Sequence, residues 1–168
     1  MKREAIDSSA INYLNNVSGQ LDVESREALS AGKLALEDAD FYVRKSIKGA
    51  SGTTELLKVS ESEQTGIRNI DRAALPSLVN LVLQSITLGY ATDASETDPK
   101  AVTYSSKKPS TSVPALENGE LIIEQDDKPI VQIPVDRFFT EAESTQTKGV
   151  ENAVHLKNFR LIKSERPF

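Results

Sequence analysis

The apolar residues that precede Asp40 recur with helical spacing. They are Ile6, Tyr13, Leu14, Val17 and Leu21. Residues 4–37 are therefore predicted to be helical, with a first helix ending near Ser18-Gly19. Asp22 can cap a second helix, and Glu24 then lies in its first turn, where negative charge is favourable. Residues 1–38 form a predicted helical arm, which packs either on its own domain or on another subunit.

After Asp40 the apolar residues follow a period of two. Phe41, Val43 and Ile47 alternate with polar neighbours, which predicts a half-buried strand. Residues 49–52 are a predicted turn, residues 57–59 a short second strand, and residues 60–73 a polar loop.

Residues 75–91 are consistent with either a helix or a strand. The positions at helical spacing are Leu75, Val79, Val82 and Ile86. In a strand, Leu81 and Leu83 share one face and Ile86 and Leu88 the other, with one slip in phase of the kind that a β-bulge produces. The β-branched content and the ending Ile-Thr-Leu-Gly-Tyr favour a strand over residues 79–91.

A long polar loop is predicted over residues 92–117, followed by a β-hairpin. Its arms are residues 120–124 and residues 130–135, with a turn at residues 126–128. Pro129 and Pro134 cannot donate ladder hydrogen bonds, so the second arm is expected at a sheet edge or bent.

The C-terminal part of the chain contains a short helical turn and a last strand. The helical turn is predicted over residues 136–142 with Asp136 as its cap, and Gly149 then breaks the chain. The apolar positions of the last strand are Val154, Leu156, Phe159 and Leu161, with a slip between the second and the third. Because the chain stops soon after a strand, its end at Phe168 is expected to belong to a larger β-structure or to dock on a neighbour.

Charge and composition exclude several classes of protein. The net charge is -5 and no basic cluster is present, so direct nucleic-acid binding is not expected. There is no Cys, which removes disulfides, thiol nucleophiles and Cys-ligated metals. The N-terminus is polar, which predicts no signal peptide. The longest apolar stretch, residues 75–91, is too short and too interrupted to cross a bilayer, so no transmembrane segment is expected.

Candidate catalytic and ligating residues are few. The single histidine, His155, would have to serve any Ser–His–acid triad, and no nucleophile-elbow motif accompanies it. Asp38 with Asp40 and Asp126 with Asp127 are the nearest carboxylate pairs, and each is explained by a junction or a turn. We therefore expect no enzymatic activity, no metal and no cofactor.

Three stretches of the sequence resemble a known family. They are Asn69–Pro76 with Ile86–Tyr90, Pro114–Ile123 with the hairpin, and Ile133–Phe139. Their order resembles the jelly roll of some bacteriophage capsid proteins, over residues 69–140. In that family an N-terminal helical arm that reaches under neighbouring subunits is common. A double jelly roll is longer than this chain, so the resemblance implies a single jelly roll or half of a double one.

The predicted fold is mainly β: a jelly-roll type antiparallel β-sandwich over residues 39–168, preceded by the arm. The predicted function is that of a virion structural protein, a capsid subunit made in the host cytoplasm. Its expected partners are copies of itself, as a trimer or larger assembly, and other virion proteins. The predicted subunit interface consists of Tyr13, Leu14, Val17, Leu21, Phe138, Phe139 and Phe168.

Two alternatives stay open. One is a β-sandwich module that binds carbohydrate or a cell-surface receptor through the loop at residues 92–117. The other is a small hydrolase that uses His155.

Overall fold

The structure is a computed structural model of the 168-residue chain, and it describes residues 8–50, 52–76, 79–92, 98–106, 113–139 and 153–163. The helices are α1 (Ser8–Asn16), α2 (Val23–Ser30) and α3 (Pro114–Glu117), with 3-10 helices at Ser18–Gln20 and Val135–Phe138. The strands are β1 (Leu81–Thr87), β2 (Glu120–Gln125), β3 (Lys128–Pro134) and β4 (Ala153–Ile162). They form two antiparallel sheets of two strands each, β1–β4 and β2–β3. Antiparallel β-structure with short N-terminal helices is thus confirmed.

The β1–β4 sheet contains the slip that the sequence predicts. Leu83 lies opposite Arg160 and Ser85 lies opposite His155, so residues 156–159 of β4 bulge opposite Gln84. This confirms a strand in the 79–91 segment, and it places the predicted slip of the last strand between Leu156 and Phe159. Because of the irregularity, Leu83 and Ile86 pack into the same hydrophobic cluster, although a regular strand would put them on opposite faces.

The β2–β3 hairpin has a two-residue turn. Asp126 and Asp127 have φ angles of 54° and 59°, the left-handed values of a type I′ turn, whose twist matches the flanking strands. Lys128, predicted in the turn, begins β3, and Val135, predicted in the strand, begins a 3-10 helix. That helix follows Pro134, so the prediction that Asp136 caps it is wrong: Asp136 is its second residue.

Two hydrophobic clusters cover opposite faces of β1–β4. Leu14 and Leu21 of the helical region pack with Leu161 of β4, and Val82 of β1 joins them. On the other side, Leu83 of β1 packs against the second cluster. The buried members of that cluster are Val131, Ile133 and Phe138. The chain therefore stacks helices, the β1–β4 sheet and the β2–β3 hairpin in that order.

Side-chain hydrogen bonds join these layers. The amide of buried Gln125 in β2 bonds both backbone groups of Lys163, at 3.1 and 3.3 Å. Arg160 of β4 donates from Nε to the carbonyl of Ile130 in β3 at 3.0 Å. Asp22 caps α2 as predicted, accepting from the amide of Ser25 at 2.7 Å and from Asn80 at 3.0 Å, next to the start of β1.

The predicted strands at residues 41–47 and 57–59 are wrong. The first makes a single bridge, between Val43 and Arg68, and the second lies in bends and turns. Ile47 and Val59 are 46% and 60% exposed. The alternating pattern is present, but within the described ranges no strand long enough to pair with it lies alongside.

Residues 60–75 fold into tight turns around a small core, and residues 60–73 of this region are the predicted polar loop. Arg72 and Ala73 have positive φ angles of 50° and 51°, and Ile67 and Ile70 are buried. Glu61 holds the turns together by ion pairs with Lys45 at 3.1 Å and Arg68 at 3.3 Å. The predicted helix is also too long, since α2 ends at Ser30 and residues 33–37 are not helical.

Several predictions lie outside the described residues. These are the first seven residues, residues 93–97 and 107–112 of the polar loop, residues 140–142 of the helical turn, Gly149 and Phe168.

Candidate functional site: open strand edges around a trough

One concavity is an open trough of about 3010 Å³. Its walls are formed by the extended segment 35–50, by β1 and by the first five residues of β2. No residue of β3 lines it, and β4 contributes only Ile162. Protein interiors are close-packed and leave few voids larger than a water molecule. The trough is open to solvent, and it is bordered by the edges of two strands that belong to different sheets.

The edge of β2 that faces away from β3 has no ladder partner in the described part of the chain. The amide of Val135 donates to the carbonyl of Gly119, which makes that pair a hydrogen-bonded one. Pairs alternate along an antiparallel ladder, so the backbone groups of Leu121 and Ile123 face β3. Those of Glu120, Ile122 and Glu124 face outward, and Ile122 is 45% exposed.

The free edge of β1 is also unprotected. Its sequence, Leu-Val-Leu-Gln-Ser-Ile-Thr, has no proline, no glycine and no charge. In the described part of the chain its one ladder partner is β4. Uncharged edges that lack proline are templates for pairing with another chain.

The outer edges of β3 and β4 are protected. Pro129 and Pro134 lie opposite Glu124 and Glu120, at the positions where the amide would point outward, so the β3 edge lacks two donors. β4 is interrupted by its bulge and carries Lys157 and Arg160. Bulges and charges are two further ways in which proteins block edge pairing. The protected strands β3 and β4 lie next to each other, as the bond from Arg160 to Ile130 shows, whereas β1 and β2 border the trough.

The structure separates the residues that the sequence predicts for the subunit interface. Leu14, Leu21 and Phe138 are 3%, 5% and 1% exposed, so they belong to the core of this chain and present no surface to a second copy. Tyr13 and Val17 are half-buried against the same helical cluster, and Tyr13 packs edge-on against Phe159 with ring centroids 5.6 Å apart.

Phe139, the other aromatic residue predicted at the interface, packs edge-on against Tyr90 at 5.1 Å. The helical region does expose an apolar side chain, but it is Val23 of α2, at 66%. The amphipathic pattern could not single out Val23, because it follows the Asp22 cap and lies off the periodic stripe.

The residues considered as catalytic or metal-ligating groups lie apart from one another. His155 is exposed on β4 opposite Ser85 of β1, with no hydrogen bond between these two side chains. Asp126 and Asp127 form the hairpin turn, and Asp38 and Asp40 lie in the extended segment. Across the described ranges, no group of three or more His, Asp or Glu side chains is arranged to hold a metal ion.

An arginine lies between two tyrosines at one end of the extended segment. The guanidinium of Arg44 lies 5.3 Å from the ring centre of Tyr42 and 5.6 Å from that of Tyr104, and it donates to the carbonyl of Gly66 at 2.7 Å. Burial raises the pKa of the Tyr104 phenol, whose hydroxyl donates to the carbonyl of Pro99 at 2.8 Å. Arg44 thus fastens the polar loop to the 60–75 turns and already occupies one face of each ring.

No known protein family, no curated protein and no solved structure matches this chain. Within the described ranges, every helix is too short or too polar to span a bilayer.

Proposed function

We propose that this protein is a virion structural protein, a capsid subunit that assembles with copies of itself. The observation that carries the proposal is the trough bordered by two strand edges that have no ladder partner in the described ranges, the uncharged edge of β1 and the acidic edge of β2. Two-stranded sheets are marginally stable by themselves, and addition of strands both satisfies their backbone groups and fills the space between them. The resemblance of residues 69–140 to phage jelly rolls supports the same assignment.

The jelly-roll architecture is part of this proposal. A jelly roll has eight strands in two facing sheets, and four strands are present in the described ranges. The two pairs already face each other through Leu83 and Val154 on one side and Ile133 on the other. Strands contributed by neighbouring subunits would extend both sheets, and no catalytic residue is required for this role.

The exposed arm surface is part of the contact in this proposal. Leu14 and Leu21 fix the helices to β4, which leaves Val23 on the outer side of α2 as the apolar contact residue. Burial of one valine contributes about 1.5–3 kcal/mol per contact, and an assembly repeats that contact in every subunit.

The test is light scattering coupled to size exclusion over a range of concentrations, with negative-stain images of the same fractions. We expect a mass that is three or more times 18.4 kDa. Val23→Asp should shift the distribution to smaller species while the circular-dichroism melt stays unchanged. Ser30→Asp adds the same charge at an exposed position of the same helix and should assemble normally. A monomer at every concentration would refute the proposal.

A further inference from the structure

Residues 41–47 have the alternating sequence of a strand. In this chain they make backbone hydrogen bonds along only one of their two edges. The amide of Arg44 donates to the carbonyl of Ile67 at 2.7 Å, and the carbonyl of Tyr42 accepts from the amide of Asn69 at 3.3 Å. Successive residues of an extended chain direct their backbone groups to opposite sides. The amides and carbonyls of Phe41, Val43 and Lys45 therefore point away from this contact, and none has a partner in the described ranges.

This free edge is basic, and the free edge of β2 is acidic. Residues 41–48 contain Arg44, Lys45 and Lys48 and no acidic residue; Lys45 is paired with Glu61, which also pairs with Arg68, so the surroundings of this edge keep a net positive charge. Along β2 and its turn the side chains include Glu120, Glu124, Asp126 and Asp127. Opposite charges on facing strands stabilise the pair, and like charges oppose the pairing of two β2 edges with each other.

The apolar positions of the two edges also correspond. Val43 lies at the centre of the 41–45 edge, and Ile122 lies at the centre of the outward-facing positions of β2. Ile47, 46% exposed, and Ile122, 45% exposed, are among the largest apolar side chains left accessible. Pairing would cover Ile122 and would satisfy both free edges with one new ladder.

We propose that residues 41–47 of one copy add as a strand to the β2 edge of a second copy. The inference rests on the proposed self-association and names the two surfaces that carry it. A second copy is the occupant because, in one chain, Val43 is held at Arg68 and no hydrogen bond joins the segment to β2, although both line the trough. Repetition of this head-to-tail contact builds a closed ring if its rotation closes and a helical filament if it does not.

Cysteine cross-linking tests the pairing directly, because the natural chain has no Cys. Val43→Cys protein is mixed with mass-tagged Ile122→Cys protein and treated with a short bismaleimide. We expect a mixed dimer whose mass is the sum of the untagged and the tagged chain. The control mixture replaces Ile122→Cys by Gln132→Cys, which lies directly opposite on the protected β3 strand, and it should give several-fold less product.

Proline substitution tests the role of the backbone groups. Residues 122 and 132 face each other, and both amides point away from the hairpin ladder, so proline at either site removes no backbone hydrogen bond of the hairpin. Gln132→Pro also removes the exposed bond from the Gln132 side chain to Glu120, at 2.7 Å. Ile122→Pro should lower the assembled fraction strongly, and Gln132→Pro should leave it near the wild-type value. Circular dichroism of both variants reports whether the hairpin is folded, and the cross-linking pair remains as a test that needs no proline.

The possible outcomes separate this inference from the proposed function. Oligomers that form without a Val43–Ile122 cross-link would overturn the pairing and leave the capsid proposal standing. A doubly substituted chain that cross-links only within itself would show that the segment closes its own sheet, which also overturns the pairing. A monomer at every concentration would remove both.

Discussion

The hairpin at residues 120–134 and the segment at residues 41–59 have similar alternating sequences and different structures. The hairpin forms a ladder over both arms, whereas the segment makes one bridge. In the hairpin each strand has a partner that is next to it in the chain, because a two-residue turn places β3 beside β2. In the segment, residues 52–59 do not pair back onto residues 41–47. Alternation thus specifies a strand only where a second strand is supplied.

The largest effect is expected in the core beneath the hairpin. Phe138 is 1% exposed against Val131 and Ile133, so Phe138→Ala should lower the free energy of unfolding by about 3–5 kcal/mol. Phe41→Ala, in the segment without a ladder, should cost clearly less, because Phe41 is only half-buried. Urea denaturation of both variants measures the difference. Equal losses would mean that the segment is packed as firmly as the hairpin.

The second largest effect on stability is expected at the turn of the hairpin. Asp127 has a φ of 59°, which a β-branched residue tolerates poorly, so Asp127→Val should destabilise the protein by about 1–2 kcal/mol. Asp127→Gly should have the opposite sign, since glycine adopts this conformation without strain. Thermal melts of the two variants measure both effects. A neutral result for valine would show that the hairpin is held by its core and not by its turn.

The cap of α2 provides a reference measurement outside both the hairpin and the segment at residues 41–59. Hydrogen bonds from Ser25 lower the pKa of Asp22 to about 2 from 3.8, so its carboxylate stabilises the fold above about pH 4 and that contribution disappears as the pH falls through 2. Asp22→Ala should cost about 1 kcal/mol at pH 7 and much less at pH 2. Stability measured at the two pH values tests this, with Asp38→Ala as the control for general acid effects. A loss that is independent of pH would contradict the capping role.

The smallest effect should be local to the extended segment. The Asn69 side chain accepts from the amide of Tyr42 at 2.8 Å and donates to the carbonyl of Asp40 at 2.7 Å. Asn69→Ala should cost at most about 1 kcal/mol globally, because the site is partly solvated. Hydrogen exchange of the Tyr42 and Arg44 amides should nevertheless become faster while that of β2 is unchanged. Asn12→Ala, an exposed substitution in α1, should alter neither.

Local signals in the sequence predicted the elements that carry their own determinants. The Asp22 cap, the hairpin at residues 120–134 and the slip in β4 each depend on neighbouring residues, and each is observed. The residues of the candidate site could not be predicted from the sequence in the same way. Leu14 and Phe138 were assigned to an interface because a hydrophobic stripe does not show whether its partner is the same chain or another.

By itself, the sequence determined the cap of α2, the β2–β3 hairpin, the proline-bearing edge of β3 and the lack of cysteine chemistry, because capping, proline and turn residues act locally. The tertiary structure decided which strands pair and which apolar residues are buried. It also decided that β1 and β2 border an open trough. Pairing joins residues far apart in the chain, and its free energy depends on a partner edge that no local pattern encodes.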